Sequence, residues 1–505
     1  MGIVIRQSIK SSVGYYLGVA LGAVNTLYIS TNYLDTSQLA TSRLLLENGL
    51  VFAAFAHLGS PSICDRYLSK YKDKPEQHHG FLLFLLLIGL VGFMIFAAVF
   101  YVFFDTIQGY YIQKSPVISQ NLMLCIPITL IWTYILILET YIRGHQRIAI
   151  PTFLKETVFR LLNIILIILL GKNFINFSQF LILFVGMMFV IMLSLFVYTW
   201  KLGILFINPS FLKIEQSEVK KMLNYGLFLI LGSIGVNLIY FLDRNILASE
   251  VGATATSIFI IATYFSSVIE MPGKSIRLIS VPLLAQSVMN KEPDKTQELY
   301  SKVAINSMLV GGLLLVLIFA NLESLLSIMP KAQIYQKGFW VVIILGTCKW
   351  VETSLGLNAD LISFSKYFKF NTYLVLILAV MAILLNYSLI PYFGLIGSAI
   401  ATGLITLLSS ICRLILVNNK FNIHPFSMNT AKVVIILIVC LIIGIMIPNY
   451  AISMWIKLII IAVKSLILIA IFLLATIKFK VSDDLTKLYQ GILKTVRNTL
   501  NILSK

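Results

Sequence analysis

The sequence predicts an all-α polytopic membrane protein with about fourteen transmembrane helices: two six-helix lobes related as a parallel pseudo-repeat, plus two C-terminal helices. Three observations predict it. Of 505 residues, 59% are hydrophobic and 12% charged, about half the charge of soluble chains, and mean hydropathy is +0.92. Apolar runs long enough to cross a bilayer, about 20 residues each, recur along the whole chain. The basic residues fall mostly on alternate connections between those runs. This excludes a soluble enzyme, a disordered chain and a nucleic-acid binder.

The runs lie at about 13–31, 39–64, 81–104, 119–138, 152–171 and 178–200, then at 225–246, 252–271, 303–322, 338–358, 371–391, 394–417, 431–448 and 454–477. Arg6 and Lys10 precede the first run. That run is longer than a signal-peptide core and no small-x-small cleavage site follows, so a retained first span is expected. The expected division is an N-terminal lobe at 1–200, a cytoplasmic linker at 201–224, a C-terminal lobe at 225–420, two further spans at 421–478 and a cytoplasmic tail at 479–505. An even number of spans puts both termini on one side. Twenty-nine of the 39 Lys and Arg residues then share that side, seven lie opposite and three sit inside runs. By the positive-inside rule the termini are cytoplasmic, and the net charge of +18 is topology rather than a signal for an anionic macromolecule.

A faint repeat supports the two lobes. Gly14, Val24, Asn25 and Tyr28 match Gly226, Val236, Asn237 and Tyr240 at one offset of 212 residues, and Lys74-Pro75-Glu76 resembles Glu292-Pro293-Asp294. The offset spans six runs, so the copies share orientation, as in parallel-repeat transporters. Cys64, Cys125, Cys348, Cys412 and Cys440 form no CxxC pair, so buried apolar filling is expected rather than metal or redox chemistry. No GxxxxGK[ST] motif occurs, which argues against ATP-driven pumping.

The junction of the eleventh and twelfth runs reads Leu385-Asn386-Tyr387-Ser388-Leu389-Ile390-Pro391-Tyr392-Phe393-Gly394-Leu395-Ile396-Gly397-Ser398-Ala399-Ile400-Ala401-Thr402. Pro391 and Gly394 predict a tight turn, and Gly397, Ser398, Ala399 and Ala401 a small-residue face for close helix packing. This segment resembles the corresponding junction of Wzx-type polysaccharide flippases, a branch of the multidrug/oligosaccharidyl-lipid/polysaccharide (MOP) exporter superfamily. Tyr225-Gly226 opening the seventh span, Asp243-Arg244 near its end, and Ser280-Val281-Pro282-Leu283-Leu284-Ala285 after the eighth agree with it. The resemblance implies a non-enzymatic flippase of the bacterial cytoplasmic membrane. It would move undecaprenyl-diphosphate-linked oligosaccharide to the outer leaflet for O-antigen, capsule or exopolysaccharide, in company with polysaccharide polymerase and assembly proteins.

Charges inside the spans are costly and need a reason. Arg43/Glu47, Glu139/Arg143 and Glu156/Arg160 are spaced i,i+4, and Lys349/Glu352 i,i+3, so each pair shares a helix face. They either neutralise one another or line a hydrated, cationic cavity between the lobes, where Arg and Lys would attract a diphosphate. Lys274 and Arg277 follow Pro272-Gly273, an expected break in the eighth span. Substrate-binding candidates are therefore Arg43, Arg160, Arg244, Lys274, Arg277, Lys349 and Lys464. Glu47, Asp243 and Asp360 are candidates for binding a coupling ion, Na+ or H+. No catalytic residue, metal or cofactor is expected. The rival readings are an ion-coupled small-molecule exporter of the same superfamily, which calls for an acidic cavity, and a glycan polymerase, which calls for a large outer loop.

Overall fold

The computed structural model describes residues 17–72, 80–207, 215–448, 453–482 and 484, with backbone alone at 231–237, 239, 240 and 278. Arg6, Lys10, Gly14, Lys74-Pro75-Glu76, positions 208–214 of the expected linker and most of the expected tail lie outside the described residues. So do the side chains of Val236, Asn237 and Tyr240.

Among the described residues there is no strand, and each of the fourteen apolar runs carries helix. Helix is what hydrocarbon demands, because backbone N–H and C=O groups must be satisfied within the segment itself. Nine helical stretches among the described residues are long and apolar enough to cross a membrane. The chain packs as two compact units. The first comprises Met1–Ile261, Met329–Lys331 and Val375–Ser398, and the second Ala262–Ile328, Ala332–Leu374 and Ala399–Lys505.

In the first unit the opening span passes through a π-helical stretch, Val24–Ile29, into α1 (Ser30–Tyr33). Then come α2 (Thr36–Ala56) and α3 (Ser60–Lys72). The Asp35 N–H donates to Gln38 Oε1 at 3.1 Å at the start of α2, a half of the capping box that fixes helix starts. Leu58 and Gly59 take positive φ, 46° and 78°, and end α2, so the run at 39–64 is two helices rather than one. Next are α4 (Phe81–Val102), α5 (Phe104–Ile112), α6 (Pro116–Asn121) and α7 (Cys125–Gly144). A second π-helical stretch, Phe153–Val158, joins α8 (Ala149–Thr152) to α9 (Phe159–Gly171). α10 (Phe177–Lys201) has a reciprocal cap, with Asn176 and Gln179 exchanging backbone-to-side-chain bonds of 2.9 Å. α11 (Gln216–Glu250) begins nine residues before Tyr225, which lies inside it. Its polar first turns carry helix without an apolar pattern, so hydropathy placed the start too late. α2 is central and packs against α4, α7 and α11. Leu39, Leu44, Leu45 and Ala53 are buried on it beside Thr41, Ser42 and Asn48.

α12 (Ala253–Met289) starts in the first unit and continues into the second. It runs unbroken through Pro272 and Pro282. The expected break is therefore absent, and Ser280–Ala285 prolongs the helix rather than following it. Each proline removes one helical hydrogen bond, a loss that a long, well-packed helix tolerates. The second unit continues with α13 (Pro293–Ile328), α14 (Ala332–Tyr335), α15 (Phe339–Ser354) and α16 (Asn358–Ser363). α17 (Lys369–Phe421), α18 (Met428–Met446) and α19 (Met454–Lys478) complete it. α13 packs against α15, α18 and α19 around Leu309, Val316, Leu437, Leu468 and Phe472.

The expected turn within α17 is present. Gly394 has φ 53° and ψ −126°, a conformation that favours glycine. A Cβ on Gly397 would strike the Leu389 carbonyl, so the limb after the turn passes tightly against the limb before it. Ser398, Ala399 and Ala401 are fully buried, as the small-residue face requires. Cys64, Cys125, Cys348 and Cys440 are buried, and Cys412 is half-exposed.

Candidate functional site

Two of the polar gatherings among the described residues of the first unit hold predicted site residues. At the first, α11 meets α2. The Arg244 guanidinium pairs with the Glu47 carboxylate. At the next position on each helix, Asn48 and Asn245 exchange side-chain bonds of 3.1 and 2.9 Å, and the Tyr111 hydroxyl donates to Asn245 Oδ1 at 2.7 Å. Asp243, fully buried, accepts from Asn386 Nδ2 at 2.6 Å, and Asn386 Oδ1 is buried without a hydrogen-bond partner. The expected Arg43/Glu47 grouping is thus replaced: Glu47 is held by Arg244, while Arg43 donates to Thr26 Oγ1 at 2.7 Å. A helical spacing of four puts two side chains on one face, but a partner on a neighbouring helix competes for the same carboxylate.

At the second place, Arg160 on α9 donates to Glu156 Oε2 at 2.9 Å, as its spacing predicts, and to the Gly18 carbonyl at 2.6 Å. Glu156 lies in the π-helical stretch, and Gly18 packs against its Cβ. The predicted Glu139/Arg143 pair does not form the contacts expected of it. Glu139 binds Lys155 at 2.8 Å and Arg143 binds Asp65 at 3.0 Å.

The second unit holds the densest charge cluster. On α12, Glu270 Oε1 accepts from Lys274 Nζ at 2.5 Å, while its Oε2 lies 3.3 Å from Lys349 Nζ on α15. Lys349 also donates to Glu352 Oε2 at 2.8 Å, the predicted i,i+3 pair. One turn beyond Lys274, Arg277 grips Asp360 of α16 with two bonds, Nε to Oδ2 at 2.6 Å and Nη2 to Oδ1 at 2.8 Å. Such a fork is the strong form of an Arg–carboxylate contact. Arg413 on α17 donates to Asn371 Oδ1 at 3.2 Å and lies within electrostatic reach of Glu352, Arg277 and Asp360. Gly273 lets α12 and α15 approach: a Cβ there would collide with Thr353 Cγ2.

Four predicted residues, Lys274, Arg277, Lys349 and Asp360, are therefore brought into one network. Arg43, Arg160, Arg244, Glu47 and Asp243 lie in the first unit. Lys464 stands apart from the cluster. It is buried on α19 and donates to the Ala320 carbonyl at 2.6 Å and the Ile447 carbonyl at 3.1 Å. Glu270 and Arg413 were missed in the sequence. Glu270 carried a signal, its i,i+4 spacing to Lys274, hidden at the edge of a run. Arg413 carried none, since Asn371 lies 42 residues earlier on the limb of α17 before the Gly394 turn and its charged neighbours come from other helices.

Residues 4–288 match the model of the polysaccharide biosynthesis protein family. No curated protein matches the chain. Among solved structures it is similar to the lipid II flippase MurJ in an inward closed conformation, at 14% identity over 93% of this chain and 98% of that one, with a TM-score of 0.67. It is also similar to an inward-facing multidrug resistance MATE family transporter of the MOP superfamily, at 14% identity over 81% and 94% of the two chains, TM-score 0.62. A third is a MOP superfamily transporter from Pyrococcus furiosus, at 14% identity over 83% and 95%, TM-score 0.57. At such identities the likeness is one of fold, and the fold is that of the MOP superfamily. The match over more than half the chain adds the family: this multi-pass membrane protein belongs to the polysaccharide biosynthesis protein family.

Proposed function

We propose that the protein carries an undecaprenyl-diphosphate-linked oligosaccharide from the cytoplasmic to the outer leaflet of the bacterial cytoplasmic membrane, supplying surface polysaccharide synthesis. It does so by alternating access, with the polyprenyl tail left in lipid and both termini on the cytoplasmic side. The observation that carries this reading is the gathering of Lys274, Arg277, Lys349 and Arg413 around three carboxylates in the second unit. Lys349 lies inside an apolar run, where a cation is expensive, and the cations gathered around it suit a cargo with a compact anionic headgroup, for which Arg offers forked and Lys point-charge contacts. Asp243, buried and accepting from Asn386 Nδ2, is a coupling-ion candidate beside Glu47 and Asp360.

The test is mass spectrometry of lipid retained by the purified full-length protein, beside leaflet-translocation assays in proteoliposomes. A diphosphate polyprenyl glycan should co-purify, and a Lys349→Ala/Arg277→Ala double variant should lose it. Recovery of no phosphorylated polyprenyl lipid, together with gradient-driven efflux of organic cations, would instead identify a small-molecule exporter.

A further inference from the structure

Glu270 is bound by two ammonium groups at once, one on each oxygen: Lys274 at Oε1 and Lys349 at Oε2. The other carboxylates of the cluster are placed differently. Asp360 is committed to the Arg277 fork. Glu352 touches Lys349, and its side chain is 37% exposed against 16% for Glu270. Lys349 is as enclosed as Glu270, at 13%, whereas Lys274 reaches out at 57%. Glu270 thus bridges an inner and an outer cation with two oxygens, which is the arrangement a phosphoryl group would make with the same two lysines.

We propose that Glu270 is a built-in stand-in for the phosphoryl group of the cargo, and that it sets which anions the site accepts. This deepens, and rests on, the reading of the cluster as the diphosphate site. Glu270 neutralises both Lys274 and Lys349, which removes the cost of leaving the enclosed Lys349 bare within its span. An arriving anion must displace it, so the net gain is the difference between two anions rather than the whole attraction. A phosphodiester lipid carries a single charge and replaces like with like. A diphosphate brings additional charge and oxygens and wins the exchange. The same competition drives release, because the carboxylate is tethered beside the site and returns as the cargo leaves. The device therefore separates diphosphate lipids from the abundant anionic lipids of the bilayer while keeping turnover fast.

The experiment compares wild-type and Glu270→Gln full-length protein in phosphatidylcholine nanodiscs, titrated with inorganic pyrophosphate and then with added phosphatidylglycerol. The amide keeps the shape and removes the charge. Glu270→Gln should bind pyrophosphate at least about tenfold more tightly, the scale of one charge-assisted bond. It should become sensitive to phosphatidylglycerol, to which the wild type is indifferent, and it should flip its lipid cargo more slowly. Glu352→Gln, acting on one lysine, should gain less. Glu270→Asp, too short to reach both lysines, should fall between wild type and Gln, and serves if the Gln variant does not fold. Unchanged or weaker pyrophosphate binding in a folded Glu270 variant, or an equal gain in Glu352→Gln, would overturn the stand-in while leaving the diphosphate site intact. Absence of pyrophosphate binding in every variant, wild type included, would overturn both.

Discussion

Arg244 on α11 and Glu47 on α2 form an ion pair between residues 197 apart in sequence. Their side chains are 16% and 26% exposed, so the pair is neither a solvated surface contact nor a fully desolvated one. Losing one partner should cost about 1–3 kcal/mol, between the surface and buried cases. Glu47→Gln, Arg244→Gln and the double variant form a cycle that thermal unfolding in detergent can read. The double variant should be less destabilised than the sum of the singles. Strict additivity would mean that the two groups do not interact.

Gly273 and Thr353 make a second, purely steric prediction. Gly273→Ala places a methyl against Thr353 Cγ2 and should destabilise by about 1–3 kcal/mol through overpacking. Thr353→Ser removes that methyl. The double variant should recover, and should exceed the wild type by up to about 1 kcal/mol, because alanine is a better helix former than glycine. Cargo binding should follow the same order, since both residues stand beside the charge cluster.

Lys464 is a tether. Its ammonium joins α19 to the carbonyl of Ala320 on α13 and to that of Ile447 at the end of α18. Lys464→Met keeps an unbranched side chain, one atom shorter, and removes the ammonium donor from both carbonyls. The expected loss is about 1–3 kcal/mol, on the scale of charge-assisted bonds offset by the removed desolvation. Hydrogen exchange should accelerate in α19 and at the ends of α13 and α18, with little change in α2 or α7.

His145, at the end of α7, predicts a pH dependence. Burial holds its pKa below the ordinary 6.5, against a raising hydrogen bond to the Tyr141 carbonyl and with a smaller lowering from Lys72. The folded state therefore resists protonation while the unfolded chain accepts it. Stability from this residue is complete above about pH 6.5 and is lost as pH falls from there toward the lowered folded value. His145→Gln should flatten the unfolding-temperature profile over that interval, measured against wild type in matched ionic strength. An unchanged slope would assign the dependence to other groups.

The spans were legible in the sequence because composition is nearly a direct readout of the solvent a helix faces. The Gly394 turn was legible because its backbone conformation favours one residue type. Helix ends were less so: α11 begins in a polar stretch, and Pro272 does not break α12. Pairing was legible only where no rival helix lay near. Glu156 finds Arg160 and Lys349 finds Glu352, but Glu47, Glu139 and Arg143 each turn to partners on other helical segments. Spacing along one helix says which groups share a face, and only packing decides what that face meets.

The π-helical stretch at Phe153–Val158 has a consequence for how this chain tolerates change. A π turn bonds each N–H one residue further back than an α turn does. Deleting one of those six positions other than Glu156 would let the stretch close at ordinary pitch with its flanks nearly in phase, because a π turn takes up one more residue than an α turn. Arg160 would then keep its aim at the Gly18 carbonyl. At this place the chain has a residue to spare, whereas the same deletion inside α9 would swing the two sides by about 100°.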